Sequence, residues 1–344
     1  MKFASSTALQ RFSGTLVAFF ILAACGIDQG GMQTPSGNQA AVSQTTVVSG
    51  PITGFGSIHV NGLVLETSGA EIRIDGNPAS ELDLREGQII RAIAVDDGLS
   101  TRALSVEYEE SLIGPIGLIE PVSAALTVLG RVVLTDAGTR FDSPQVTELS
   151  DLMPGELVRV SGYALPTGET LATYIGRAAP LESSQITGAI TAVDAAGLNF
   201  DLGDLNIDYS QALVLQVPNG VPALDVVVEV KGSVVAGILV ADEVRSLSLL
   251  PGLFDATATM LTAVESPIVS AATSDTALAA NFIGFITAVN LPGRVSLADV
   301  DVLLDADTQI LGGIESDLVN GARIQVEGDI SNFGQIQADR VRIF

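Results

Sequence analysis

One motif recurs along this chain and limits what it can fold into: Asp-Leu-x-x-Gly followed by an alternating apolar run. It occurs as Asp83-Leu84-Arg85-Glu86-Gly87, Asp151-Leu152-Met153-Pro154-Gly155 and Asp317-Leu318-Val319-Asn320-Gly321. The runs that follow align, with Ile90, Val158 and Ile324 in one column and Ala92, Val160 and Val326 in the next. A further copy keeps the phase at Val228 and Val230 but carries Asp225 where Gly is expected. Each copy closes on an Ala with an apolar residue three positions later: Ala103 and Val106, Ala172 and Ile175, Ala241 and Val244, Ala338 and Val341. Successive closing alanines stand 69, 69 and 97 residues apart, the spacing of a fourfold duplication with one insertion in the last interval.

Within a copy the pattern is that of short strands. In the second they are expected at Gly117 to Glu120, Leu126 to Leu134, Thr139 to Phe141, Glu156 to Gly162 and Leu171 to Arg177, with a helical turn at Leu149 to Met153. Val158 and Val160 should point inward and Glu156, Arg159 and Ser161 outward; Ile324 and Val326 alternate in the same way with Arg323, Gln325 and Glu327. The motif Gly suits a left-handed residue that ends the helical turn. Five strands with a helical turn before the fourth, in about 65 to 70 residues, meet the requirements of a small OB-like Greek-key barrel. The fold expected is therefore all-β, four tandem five-stranded OB-like barrels. A β-sandwich with pairing between copies is the competing architecture. The domains expected are repeat 1 at 49–110, repeat 2 at 111–181, repeat 3 at 182–249 (the most diverged), an Ala/Thr/Ser-rich insertion at 250–281 and repeat 4 at 282–344.

Ahead of the repeats lies a targeting segment. Lys2 and Arg11 precede an apolar stretch to Leu22, no acid occurs before Asp28, and the stretch is short of the ~20 residues of a membrane-spanning helix. Leu22-Ala23-Ala24-Cys25-Gly26 resembles the lipobox of bacterial lipoproteins, and Cys25 is the one Cys of the chain. That resemblance implies a lipoprotein signal peptide at 1–24 and a Cys25 acylated on sulfur and on its new amino terminus. It also implies the outer membrane of the cell envelope, since Gly26 stands where Asp would favour inner-membrane retention. Two or three acyl chains at ~0.8 kcal/mol per buried methylene make a stable anchor. Residues 25–48, rich in Gly, Gln, Ser and Thr, read as a flexible tether.

The repeats also carry a family resemblance. Gly54-Phe55-Gly56-Ser57-Ile58-His59-Val60-Asn61-Gly62, continuing to Asp75-Gly76 and the first motif, is similar to bacterial domain-of-unknown-function family 5666. So are Leu126-Thr127-Val128-Leu129-Gly130, Thr139-Arg140-Phe141-Asp142 and Gly155 to Tyr163. The resemblance implies secreted or lipid-anchored repeats of small β-domains and no particular activity.

Composition narrows the chemistry. With 16 Lys and Arg against 40 Asp and Glu, the formal net charge of -24 opposes phosphate backbones, so no nucleic-acid partner is expected. Removal of the signal takes away two of the cations and no acid. The single His, His59, sits between Ile58 and Val60 and should face outward; no Gly-x-Ser-x-Gly elbow accompanies it. There is no Trp and there are four Tyr, few platforms for sugars. The densest acidic cluster, Asp299, Asp301, Asp305 and Asp307, lacks the EF-hand spacing, as does Asp201, Asp204 and Asp208; calcium is the cofactor either could take, with solubilising surface acids the plainer account. The function expected is a lipid-anchored envelope protein acting as a non-enzymatic binding or structural module, with the membrane and an envelope protein or small ligand as partners. The alternatives are a calcium-assisted envelope hydrolase and an accessory factor for envelope assembly.

Overall fold

The computed structural model describes residues 44–142, 144, 146–180, 182–247, 278–290, 292–297, 300–331 and 335–344. The signal peptide, Cys25 and most of the Ala/Thr/Ser-rich insertion lie outside the described residues. The described chain is all-β: its only helical elements are three-residue 3-10 turns, and its strands form small barrel-like sheets.

One pairing scheme recurs four times. In repeat 2, strand Leu112–Glu120 pairs antiparallel with Ala125–Val128, which pairs with Arg131–Leu134. That third strand runs parallel to the last one, Thr170–Arg177. The last pairs antiparallel with Leu157–Ala164, which returns to the first and closes the ring. Repeats 1 and 4 close in the same order, from Gln44–Gly54 to Thr101–Tyr108 and from Leu278–Val289 to Ile336–Ile343. In repeat 3 the first strand is interrupted, with Ser184–Ala189 pairing toward Val227–Val235 and Ala192–Asp194 toward Asn199–Leu202. Inward residues of alternate parity, such as Val158, Val160, Val228, Val230, Ile324 and Val326, are 0% exposed. Each buried aliphatic side chain contributes about 1.5–3 kcal/mol relative to exposure.

The stretch read as one strand from Leu126 to Leu134 is a hairpin. Leu129 (φ 51°) and Gly130 (φ 77°) turn the chain, as Asn61 and Gly62 do in repeat 1. Leu129 is an unusual residue for positive φ, and its burial at 6% exposure offsets the strain. The Asp-Leu-x-x-Gly motif works differently from the expectation. The 3-10 turn ends at the Asp, whose carboxylate accepts backbone N–H groups just ahead of the turn: Ser80 to Asp83 at 2.9 Å, Thr147 to Asp151 at 2.8 Å, Ile314 to Asp317 at 2.9 Å. The Leu is then driven into the core, at 2%, 4% and 0% exposure for Leu84, Leu152 and Leu318. The Gly sits in the next turn, at φ 90°, 88° and 82°, and its N–H donates to the first strand, to Ile52, Ile116 and Ile286. Asp225 keeps both properties in repeat 3, with φ 64° and a bond to the Ile190 carbonyl.

The four repeats associate as two sheets of 13 strands each. Repeats 2 and 3 join where Leu112 and Ile113 pair antiparallel with Ile186 and Gln185, and their interiors form one apolar cluster. Repeats 1 and 4 join where Thr46, Val47, Val48 and Ser49 pair in parallel with Ala279, Ala280, Asn281 and Phe282. That seam corrects two sequence expectations at once. Gln44 to Val48, read as tether, and Leu278 to Asn281, read as insertion, are strand residues; each pairs antiparallel inside its own repeat, and Thr46 to Val48 also pair with Ala279 to Asn281.

Candidate functional site at the junction of the repeats

The position between the two inward columns of the fourth principal strand reads as solvent-facing in sequence. In every repeat it faces another part of the assembly. Glu229 and Gln325 are 1% and 9% exposed, and the side chain of Arg91 only 18%. Arg159, in the same position, reaches Glu110 at 2.8 Å and Glu182 at 2.8 Å. Two residues on, Ser161 is fully buried and accepts the Ile89 N–H of repeat 1 at 2.9 Å, against its expected outward place.

Glu110, in the connection between repeats 1 and 2, is 0% exposed at the centre of this network. Its Oε2 accepts the Tyr108 hydroxyl at 2.7 Å, and its backbone N–H donates to Asp75 at 3.0 Å. Gln185 of repeat 3 donates to the Glu110 carbonyl at 2.9 Å and to Glu229 at 2.9 Å. Arg245 bridges Glu109 and Glu229 at 3.0 and 3.1 Å, and Lys231 stands 3.3 Å from Glu229. Burial pushes the Glu110 carboxyl up to about 7, against the pull of Arg159 and the Tyr108 bond. Burial likewise raises Glu229. The scarce cations, scattered singly along the sequence, thus gather where repeats meet. Arg85 and Asp142 (3.8 Å) and Arg140 and Glu86 (3.9 Å) add two more crossings between repeats 1 and 2.

Beside this network a cleft of about 200 Å³ opens between repeats 1, 2 and 4. Ile52 and Thr53 form one wall, Arg140, Tyr163 and Thr173 a second, and Arg323 the third. The Arg323 guanidinium carbon lies 5.9 Å from the Tyr163 ring centroid and 5.3 Å from that of Phe344. Phe285 meets Tyr163 edge-on at 5.4 Å. The Tyr163 hydroxyl faces Arg323 but is buried without a well-formed hydrogen bond, as is Arg323 Nε. Burial pushes that hydroxyl up to about 12, partly offset by Arg323.

The residues singled out in sequence do not converge here. His59 is exposed on strand Ile58–Val60, between two fully buried neighbours. Asp301 pairs with Arg294 and accepts the Ser296 hydroxyl at 2.9 Å. Asp305 uses Oδ1 on the N–H groups of Asp307 and Thr308 and Oδ2 on Gln337. Asp299 lies outside the described residues. Among the described residues no group of three or more His, Cys, Asp or Glu is placed to hold a metal ion, and no helix is long and apolar enough to cross a membrane. Tyr163 and Arg323 were missed as site residues. The available signal was a Tyr and an Arg, both rare in this chain, on the outward parity of equivalent strands.

These features define a class: a repetitive all-β protein whose repeats are fastened to one another through buried polar groups. Residues 114–176 and 283–342 match the family described as Domain of unknown function (DUF5666), so repeats 2 and 4 are similar to that family. Residues 54–87, which carry part of the resemblance seen in the sequence, lie outside both matched segments. Comparison with curated proteins gave no match.

Proposed function

We propose that this chain is a lipid-anchored cell-envelope protein whose repeats are OB-like Greek-key barrels acting together as a non-enzymatic binding or structural module. The barrel assignment is supported by the recurring ring order, first strand to second to third to last to fourth, with the third parallel to the last and a helical turn before the fourth. The observation that carries the module reading is the junction itself. Arg159 ties Glu110 to Glu182, Arg245 ties Glu109 to Glu229, Gln185 donates to the Glu110 carbonyl and Gln325 to that of Asn61, contacts that cross from one repeat to another and fix the barrels relative to one another. Buried polar groups paired across a junction specify one geometry more than they add stability.

The anchor is attributed to Cys25 and the outer membrane. Radiolabelled palmitate should enter the wild-type protein and not Cys25→Ser, and the variant should leave the membrane fraction. Equal labelling and fractionation of the two would overturn the anchor. For the module, a broad hydrolase substrate panel on purified protein should give no turnover; activity abolished by one acid or Ser substitution would replace it with an enzyme.

A further inference from the structure

We infer that the cleft between repeats 1, 2 and 4 is a binding site for a small oxyanion, a carboxylate or phosphate group carried by a ligand of few atoms. The inference rests on the binding-module reading and names the ligand chemistry of that module. Three observations carry it. First, Arg323 lies over the rings of Tyr163 and Phe344, 5.9 and 5.3 Å from their centroids, and has no carboxylate within ion-pair distance among the described residues, although acids outnumber cations 40 to 16. A guanidinium held by aromatic rings and not by a carboxylate keeps N–H groups for two-point recognition of an oxyanion. Second, two polar atoms at the same wall, the Tyr163 hydroxyl and Arg323 Nε, are buried without a well-formed partner. The two face each other, and the geometry that leaves their mutual bond ill-formed leaves both with unspent hydrogen-bonding capacity beside the cleft. Third, Arg140 supplies a second cation at the rim, 3.9 Å from Glu86, with its side chain about half exposed.

The lining contains one acid, Asp136, and its Oδ1 is occupied by the N–H groups of Gly138 and Thr139 at 2.7 and 3.1 Å. Size sets the ligand class: about 200 Å³ is below the roughly 300 Å³ at which clefts for drug-sized molecules begin.

Calorimetric titration of the purified full-length chain with acetate, succinate and inorganic phosphate at low ionic strength tests the site. Saturable binding of at least one probe is expected, and which of the three binds tightest separates carboxylate from phosphate. Arg323→Gln and Arg140→Gln should each weaken it by about tenfold or more, the loss of a charge-assisted hydrogen bond. Arg102→Gln, an exposed position far from the cleft lining, should leave it unchanged. Tyr163→Phe removes a hydroxyl that has no well-formed bond in the free protein, so it should melt at or above the parent temperature yet bind more weakly. Arg140 and Tyr163 keep the test intact if Arg323→Gln does not fold. No saturable binding of any probe, or binding untouched by both Arg140→Gln and Tyr163→Phe, would overturn the site. Either result would leave the palmitate and hydrolase experiments, and so the module reading, standing on their own.

Discussion

The two sheets are built from the same repeat but joined by different means. Repeats 2 and 3 follow each other in sequence and meet through only two paired residues, yet their side chains merge into a single apolar cluster. Repeats 1 and 4 are separated by both of the others. They meet through four residue pairs and keep largely separate cores, with Val47 and Ile93 of repeat 1 in the cluster of repeat 4 and Leu104 packed against it. Amide side chains finish that seam: Asn61 donates to the carbonyls of Ser49 and Asn281 at 2.8 and 3.1 Å, and Gln325 donates to Asn281 Oδ1 at 3.0 Å. Neighbours on a short connection are held close by the chain, so a thin backbone contact suffices for hydrophobic surfaces to fuse. Distant partners must first offset the entropy of closing a long loop, and directional bonds fix which strand meets which.

This contrast can be broken most severely at Leu112, which is 1% exposed and pairs with Ile186 across the seam of repeats 2 and 3. Leu112→Ala should cost about 2–5 kcal/mol in denaturant unfolding. Amide exchange should rise in repeats 2 and 3 together; a rise confined to repeat 2 would refute the shared core.

The polar network between the sheets gives the next effect. Glu110 is raised from 4.5 to about 7 in the fold, so the folded state retains a proton that the unfolded chain has released. The associated stability is fully present below pH 4.5 and is lost as pH rises through 7, a change on the order of 3 kcal/mol. Unfolding midpoints at pH 5 and pH 8 should differ in this direction for the wild type and much less for Glu110→Gln. An equal pH slope in the variant would remove Glu110 as the cause.

The motif glycines sharpen the comparison further. A Cβ on Gly155 or Gly321 would meet no atom within 4 Å, whereas on Gly87 it would overlap the Thr173 carbonyl oxygen of repeat 2. Gly87→Ala should therefore cost roughly 2–4 kcal/mol, strain plus overlap, against roughly 1–2 kcal/mol of left-handed strain alone in Gly155→Ala and Gly321→Ala. Three equal melting shifts would mean that repeats 1 and 2 do not press together there. Smallest is Asn61→Ala, at about 1 kcal/mol. Its exchange signature should be confined to residues 44–49 and 278–283, leaving the seam of repeats 2 and 3 protected.

What sequence could reveal follows from the range of the interactions. Strand phase, the motif and its closing Ala depend on contacts inside one repeat, and the alternation of Val158 with Val160 or Ile324 with Val326 was readable from period alone. Ser161, Glu229 and Gln325 were not, because polarity on the outward parity looks the same whether water or another repeat lies opposite. Gln325 reaches toward Asn61, a partner 264 residues away. Gln44-Thr45-Thr46 has the composition of a linker, and it is a strand because Asp96, Val95 and Ala94 pair with it on one side and Ala279 meets Thr46 on the other. The hairpin at Leu129 was hidden for a different reason: Leu is a poor guide to positive φ, and tertiary packing overrides that preference.

The seam between the first and last repeats also has a consequence for synthesis. The strand Gln44–Gly54 is among the first of the described elements to leave the ribosome, and the edge it offers to Leu278–Val289 stays bare until the final repeat has emerged. For that interval every molecule carries an unsatisfied strand edge, a template for pairing with the wrong chain. The need for a holding chaperone is therefore greatest in the interval before repeat 4 is complete, when the first strand has been made and its last partner has not.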